Sequence, residues 1–277
     1  MDGALTAYNK AKRALAQAGI TDSLEARVLF ETASGLARAG LTREDTISEN
    51  AASALNELVS RRIAGEPLQY LAGSWPFLDF ELSVGEGVLI PRPETELLAQ
   101  RAIDFLRARE NPAALDLCSG SGCVAIAIKR ALPKCAVSAL ERSSGALIYL
   151  KKNTSALASG IEAIEGDVFD YNSALASASF DCITCNPPYL TEAEYDTSAE
   201  LAHEPREAFV AGRDGLDFYR YIIPNYKAAL KAGGALIFET GFTQTVAVAD
   251  MMKSAGYTEV QALRDQFGNP RVVLGIV

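Results

Sequence analysis

Histidine is almost absent: His203 is the only one in 277 residues. A single imidazole cannot build a multi-histidine metal centre, and it leaves room for at most one histidine-based triad or relay. Cysteines are few and odd in number, at 118, 123, 135, 182 and 185. Five scattered thiols argue against a disulfide framework and suit a reducing compartment. The opening MDGALTAYNKAKRALAQAGI lacks the apolar core of a secretory signal. No apolar run approaches the roughly 20 residues that span a bilayer. Basic residues are outnumbered, 26 Lys+Arg against 35 Asp+Glu, for a formal net charge of −9. Sequence-independent grip on nucleic acid needs a basic footprint, which this balance does not supply. The expectation is a cytoplasmic protein with no membrane partner and no direct nucleic-acid partner.

What is present supports an ample core, with 49% hydrophobic residues and a length that fits one main domain plus a small companion. Residues 1–66 read as a helical bundle. Leu5, Tyr8, Ala11 and Leu15 fall at helical spacing, as do Leu24, Val28 and Leu29, then Leu55, Leu58, Val59 and Ile63. Gly19, Gly40 and Gly65 punctuate these stretches near their ends. Eight Lys+Arg and nine Asp+Glu through Leu71 leave eighteen and twenty-six beyond it, so −8 of the charge lies in the remainder.

Residues 67–90 change texture: Leu78–Leu82 alternates apolar with acidic, and 84–90 places glycines between apolar residues, which predicts a β-hairpin linker. Pro91-Arg92-Pro93 ends it, and 94–109 reads as a helix. From there to residue 277 strands and helices alternate, with strands at 114–118, 136–140, 161–165, 180–185, 236–239 and 272–276. That rhythm predicts an α/β fold with a mostly parallel sheet, whose ligands sit beyond the carboxyl ends of the strands.

Two constellations lie at such ends. After the first strand comes Asp116-Leu117-Cys118-Ser119-Gly120-Ser121-Gly122, and the second strand closes on Glu141. Glycines let the backbone approach a ligand closely, and an acid ending the next strand suits ribose hydroxyls. The pattern points to an adenosine-containing cofactor. Gly120-x-Gly122-x-x-Ala125 also fits a dinucleotide, whereas Asp116 and the serines suit the amino-acid end of S-adenosylmethionine. An ordinary ligand-free strand–helix turn is the plain alternative.

The fourth strand runs into Asn186-Pro187-Pro188-Tyr189. Two prolines force the chain out of the sheet in a rigid extended form. The Asn186 side chain and the Pro187 carbonyl become acceptors near the cofactor, and Tyr189 offers a flat ring. Such a site fits a planar nitrogen bearing two hydrogens, either an amide or an exocyclic base amine. Alone, the four residues could be a proline turn beside a buried tyrosine; next to the glycine loop they read as reactive.

Together these segments resemble the HemK/PrmC-type release factor glutamine methyltransferases. The resemblance rests on Arg61-Arg62-x-x-Gly65-Glu66-Pro67, Ile90-Pro91-Arg92-Pro93-Glu94-Thr95-Glu96, the 116–122 loop, Gly166-Asp167-Val168-Phe169 and Asn186–Tyr189. It continues through His203-Glu204-Pro205-Arg206-Glu207-Ala208 and Arg264-Asp265-x-x-Gly268-Asn269-x-Arg271. It implies a seven-stranded Rossmann-like class I methyltransferase sheet at 91–277, its last strand antiparallel. A helical N-terminal domain at 1–66 would help to dock the substrate. The implied reaction moves a methyl group from S-adenosyl-L-methionine to the glutamine side-chain amide of the Gly-Gly-Gln motif of class-I peptide-chain release factors, leaving S-adenosyl-L-homocysteine. The enzyme is expected to be a monomer. Carried over by position, Cys118, Ser119, Gly120, Ser121 and Gly122 contact the cofactor's methionine end, Glu141 its ribose, and Asp167 and Val168 its adenine; Asn186 also faces the cofactor. Asn186 and Pro187 hold the amide, with Pro188 and Tyr189 packed on it. Cys118 and Ser119 stand where Gly and Thr are usual in the family, and Glu141 where Asp is usual. Glutamine methylation of a ribosomal protein, methylation of a nucleic-acid amine, nucleotide-dependent oxidation and a non-catalytic binding module are the competing readings.

Weaker signals remain. Cys182-x-x-Cys185 has redox spacing but lies in a strand, where residues three apart face opposite sides, so two core cysteines are expected. Glu192, Glu194 and Asp196 form either a solvated loop or a lid. His203, Glu204 and Arg206 form either a surface salt-bridge cluster or, the favoured reading, a brace for the active-site loop. Arg92 and Glu94 either anchor that loop or cap the following helix.

Overall fold

The computed structural model describes residues Asp2–Val277 and divides into two units after Trp75. In the first, β1 (Asp2–Gly3) pairs with β2 (Thr46–Ile47), and α1 (Ala4–Gln17), α2 (Ser23–Ser34), α3 (Glu49–Ile63) and α4 (Leu68–Ala72) pack together. The apolar positions at helical spacing converge as expected: Tyr8, Leu15, Leu29, Phe30, Leu55 and Val59 form one buried cluster. Tyr8 meets Phe30 edge-on at 5.8 Å. Asp22 and Ser48 accept from the first free amides of α2 and α3, as N-cap side chains do. Arg62 ties α3 to α2 through Glu25 at 2.8 Å.

The stretch expected as a linker from residue 67 begins instead with α4. Leu68 and Leu71 are buried in the helical cluster, and apolar residues three apart on a helix share one face. The hairpin is shorter than 67–90: its strands are β3 (Ser74–Phe77) and β4 (Phe80–Ser83), and 84–90 is irregular.

The second unit contains α5 (Thr95–Arg107), β5 (Ala113–Leu117), α6 (Cys123–Ala131), β6 (Ala136–Glu141), α7 (Ser144–Leu157), β7 (Ile161–Glu165) and α8 (Val168–Tyr171). There follow β8 (Phe180–Cys185), α9 (Glu192–Asp196), α10 (Asp217–Asn225), β9 (Leu230–Glu239), α11 (Thr245–Ser254), β10 (Thr258–Arg264) and β11 (Pro270–Ile276). The seven main strands are ordered β10-β11-β9-β8-β5-β6-β7, and β11 runs antiparallel to both neighbours. The chain builds outward from β5 through β6 to β7, then returns to lay β8 on the other side of β5. The strand order therefore reverses between β5 and β8, the place where such sheets bind ligands.

Two features of the sheet escape a reading by periodicity. β9 begins at Leu230, well before the apolar run at 236–239, and runs through Gly233 and Gly234. A Cβ on Gly234 would stand only 3.1 Å from the Asp181 carbonyl, so the glycine marks a close strand approach. β10 is an edge strand with no fully buried residue, and it shows no core-facing alternation.

Asn153 lies in the middle of α7 and is 2% exposed. Its amide donates to the carbonyls of Ser83 and Ser121, both at 3.0 Å, and its carbonyl accepts from Ser83 N at 2.8 Å. It thus ties the end of β4 to the glycine loop. Replacing Asn153 with Ala leaves these backbone groups buried and unpaired, and is expected to cost about 2–4 kcal/mol. Urea unfolding of the variant measures this; a loss below about 1 kcal/mol would refute the assignment.

Candidate active site

At the switch point, Leu117 lies opposite Cys185 in the parallel pair, so the loops that follow them begin side by side. Beyond β5 the backbone turns through left-handed conformations at Cys118 (φ 55°), Gly120 (φ 54°) and Gly122 (φ 86°). Ser119 anchors the turn, donating from its hydroxyl to the Asp116 carbonyl at 2.8 Å and from its amide to Leu140 at 3.0 Å. A Cβ on Gly120 would meet no protein atom within 4 Å, so this glycine faces open space, and it lines a cleft of about 680 Å³. That cleft is also walled by Cys118, Glu141, Asp167, Val168, Asn186 and Pro188, bringing seven of the expected residues to one space. Ser119 and Ser121 line an adjoining recess with Asp116 and Asn186. Gly122 lines neither: it opens α6 and packs under Leu150.

Asp116 is buried, with Thr184 donating to its Oδ1 at 2.7 Å while Oδ2 has no partner. Burial pushes its carboxyl up to about 7, against the lowering effect of the Thr184 and Ser119 hydrogen bonds. Glu141 is drawn upward by burial too, although its oxygens accept from Gly120 N at 2.8 Å and Ser143 N at 2.7 Å. Its longer side chain reaches back to hold the glycine loop while still bordering the cleft. Asp167 caps α8 through Phe169 N at 3.0 Å and faces Arg142 at 3.3 Å on the rim.

The Asn186–Tyr189 segment leaves β8 as an extended strap pinned on both sides. Tyr189 and Leu190 amides donate to Phe209 O at 3.0 and 2.7 Å, and Gln244 Nε2 donates to Tyr189 O at 2.8 Å. Gly215 (φ 73°) closes the packing, since a Cβ there would fall 2.2 Å from the Tyr189 carbonyl. Pro187 and Tyr189 line a second, smaller pocket with Asn186, Arg92 and Glu239. Burial holds the Tyr189 phenol up at about 12, so the ring is neutral at physiological pH. Asn186 borders the cleft, the recess and this pocket alike. Its Nδ2 donates to Thr95 Oγ1 at 3.2 Å, which turns Oδ1 to the opposite side.

The weaker signals resolve individually. Glu204 holds the 90–92 segment: it accepts from Ile90 N at 2.9 Å and pairs with Arg92, while His203 is exposed. Arg206 instead pairs with Asp196 at 2.8 Å and Glu192 at 3.6 Å, and Thr191 and Glu194 form a capping box, so the acidic segment is the helix α9. Glu94 makes no side-chain cap, and Arg92 pairs with Glu204. Cys182 and Cys185 are both buried in β8 as free thiols. Sequence reasoning passed over Asn153, Thr95, Gln244 and Glu239. Glu239 had a usable signal, because like Asp116 and Glu141 it is an acid at the end of an apolar strand.

Residues 6–73 match the sequence family described as the PrmC N-terminal domain, and residues 95–214 match the methyltransferase small domain. A solved methyltransferase from Pyrococcus furiosus, 15% identical, superposes with a TM-score of 0.52, covering 78% of this chain and 96% of its own. Fold and cleft together define a methyltransferase. The release factor glutamine methyltransferase of Geobacter sulfurreducens is 36% identical over 94% of this chain and 92% of its own. That of Caulobacter vibrioides is 34% identical over 98% and 95%. The chain belongs to the release factor glutamine methyltransferase family.

Asp116 gives the cleft a pH signature. Its carboxyl normally titrates near 3.8 but is held at about 7 in the fold, so the folded state retains a proton that the unfolded state releases. The stability this confers is complete below about pH 4 and is lost as pH rises through about 7. Melting curves of the ligand-free protein should fall as pH rises from about 4 to about 7 and level off above it, and Asp116→Asn should flatten that fall, leaving the part due to Glu239. An unchanged slope in the variant would remove the assignment.

Proposed function

We propose that the protein transfers a methyl group from S-adenosyl-L-methionine to the side-chain amide nitrogen of the glutamine in the Gly-Gly-Gln motif of class-I peptide-chain release factors. One observation carries the reading: Asn186 stands at the junction of the glycine-loop cleft and the pocket beside Pro187 and Tyr189. A donor held in the first and an amide held in the second would meet at that residue. The residues present fit the cofactor. Gly120 leaves open the space a side chain would fill, Asp116 keeps an unpartnered acceptor beside the loop, and Glu141 and Asp167 border the cleft. The bound cofactor supplies an electrophilic methyl on a sulfonium centre.

The chain's own residues then have defined roles. Cys118 to Ser121 hold the methionine end of the ligand, with Gly122 opening the helix behind them, Glu141 the ribose, and Asp167 with Val168 the adenine. Asn186 Oδ1 and the Pro187 carbonyl accept the two hydrogens of the substrate amide, with Pro188 and Tyr189 packed against its plane. An amide nitrogen is a poor nucleophile because its lone pair is delocalised into the carbonyl. Holding it in line is therefore the main contribution, and good alignment supplies roughly 7–11 kcal/mol in intramolecular analogues. The same two acceptors stabilise positive charge as it grows on nitrogen. The nitrogen becomes acidic once transfer has occurred, so the proton leaves without a strong base, in keeping with an exposed His203. The helical unit would help to hold the release factor, and the enzyme would act as a monomer in the cytoplasm.

Incubation with labelled S-adenosyl-L-methionine and, separately, release factor, its Gly-Gly-Ala variant, ribosomal protein or DNA tests this reading. Label is expected on the intact release factor only. Label on DNA, or label retained by the Gly-Gly-Ala variant, would overturn it. Asn186→Ala should abolish transfer while keeping cofactor affinity largely intact, and Glu141→Ala should weaken that affinity in calorimetry.

A further inference from the structure

Two stretches of sequence that the reactive site leaves largely unused meet in space. Pro93, Glu94 and Glu96 lie at the start of α5, and Asp265 to Phe267 form the turn between β10 and β11. Across from each other, they wall a groove of about 700 Å³, to which Leu78 and Leu97 add apolar surface. None of the residues lining it is basic. Phe267 is 74% exposed and Leu78 40%, although both are large and apolar. Leu78 is also held at φ 52°, as the first of the two residues between β3 and β4, a turn position that favours glycine. A bulky apolar side chain at a strained turn, left facing solvent, serves something other than the core.

The acids of the groove differ in what holds them. Asp265 is occupied by its own turn: it accepts from Phe267 N and Asn269 N, both at 2.9 Å, and pairs with Arg271 at 3.6 Å. Glu96 accepts from Leu78 N at 2.9 Å through one oxygen. Glu94 caps nothing, and neither glutamate forms a salt bridge among the described residues. Two half-buried carboxylates beside an apolar wall match a long cation. The alkyl stem of an arginine or lysine would lie on Leu78, Leu97 and Phe267 while its head meets the acids.

The groove adjoins the reactive pocket. Arg92 lines that pocket while Pro93 and Glu94 line the groove, so one short segment walls both. On the other side Glu239 lines the pocket, Thr240 N donates to Arg271 O at 2.8 Å, and Arg271 pairs with Asp265. We propose that this groove docks a basic side chain of the protein substrate, an arginine or lysine within a few residues of the methylated glutamine. This rests on the functional reading above. An extended chain advances about 3.3 Å per residue, so a substrate with its glutamine in the pocket reaches the groove without a long loop. The release factor thereby gains a second point of attachment on the catalytic unit itself, and a glutamine in basic surroundings is favoured over one in acidic surroundings.

Docking and reaction are read separately. NMR of the whole protein with S-adenosyl-L-homocysteine follows the addition of a Gly-Gly-Gln peptide flanked by arginines, or of the same peptide with glutamates in their place. The arginine peptide should shift the Phe267 ring and Glu94 side-chain resonances, and the glutamate peptide should not. The Phe267 shift should disappear in Glu94→Lys. No shift with the arginine peptide, or equal shifts with both, would overturn the docking whether or not any protein is methylated. In turnover, Glu94→Lys and Phe267→Ala should each raise KM for the release factor about 10-fold, with kcat and cofactor affinity unchanged. A release factor whose basic residues beside the Gly-Gly-Gln are changed to glutamate should recover part of the loss in Glu94→Lys. KM unmoved in both variants would equally sink the proposal. If sedimentation shows instead a wild-type dimer that Phe267→Ala dissolves, the groove belongs to a second copy and the proposal fails. If wild type does not label the release factor, the functional reading falls, and the peptide shifts still decide the groove.

Discussion

The parallel pairing of β5 with β8 is the constraint on which the site depends. Leu117 opposite Cys185 sets the register, and a shift of one residue would move every side chain on the strand to the other face. With that register, Asp116 lies beside Thr184, and the glycine loop and the Asn186 strap emerge next to each other. Everything else in the cleft is fastened to one or other of these loops. Asn153 holds the first against β4, Phe209 and Gln244 hold the second, and Glu204 fixes the 90–92 segment beside both.

The distribution of buried charge follows the same logic. Glu141 and Glu239 close strands of the sheet and Asp116 stands one residue before the end of another, where the backbone ends and the ligand space begins. Two of the three keep an oxygen without a hydrogen-bond partner, a cost that a core built only for stability would avoid. Acids drawn upward by burial at one end of the sheet mark the working face of the unit. The opposite economy holds at the surface, where Arg206 and Arg220 pair with exposed acids and contribute little to stability.

Much of this was legible in the residues themselves. The strand and helix rhythm from 113 to 185, the glycine loop and the proline strap announce themselves because local chemistry and tertiary role coincide there. Glycine, proline and strand-ending acids have few other reasons to occur in that order. The missed parts are those in which tertiary contact overrides local pattern. Gly233-Gly234 lies inside β9, ahead of the apolar run at 236–239, and permits a close strand approach, and α4 falls in the expected hairpin linker but buries Leu68 and Leu71. Asn153 and Thr95 carry no local mark of their function, since their partners lie 70 and 91 residues away. His203 was grouped with its neighbours by adjacency, whereas the buried member of that motif is Glu204.

Those separations have a consequence for synthesis of the chain. Ser83 waits for Asn153, Thr95 for Asn186, and Ile90 for Glu204, which is 114 residues further on. Contacts so distant in sequence are slow to close and form after the local helices and strands. A nascent chain that has not yet reached Glu204 therefore carries part of a sheet but no cleft. The site is assembled last, from both ends of the catalytic unit at once.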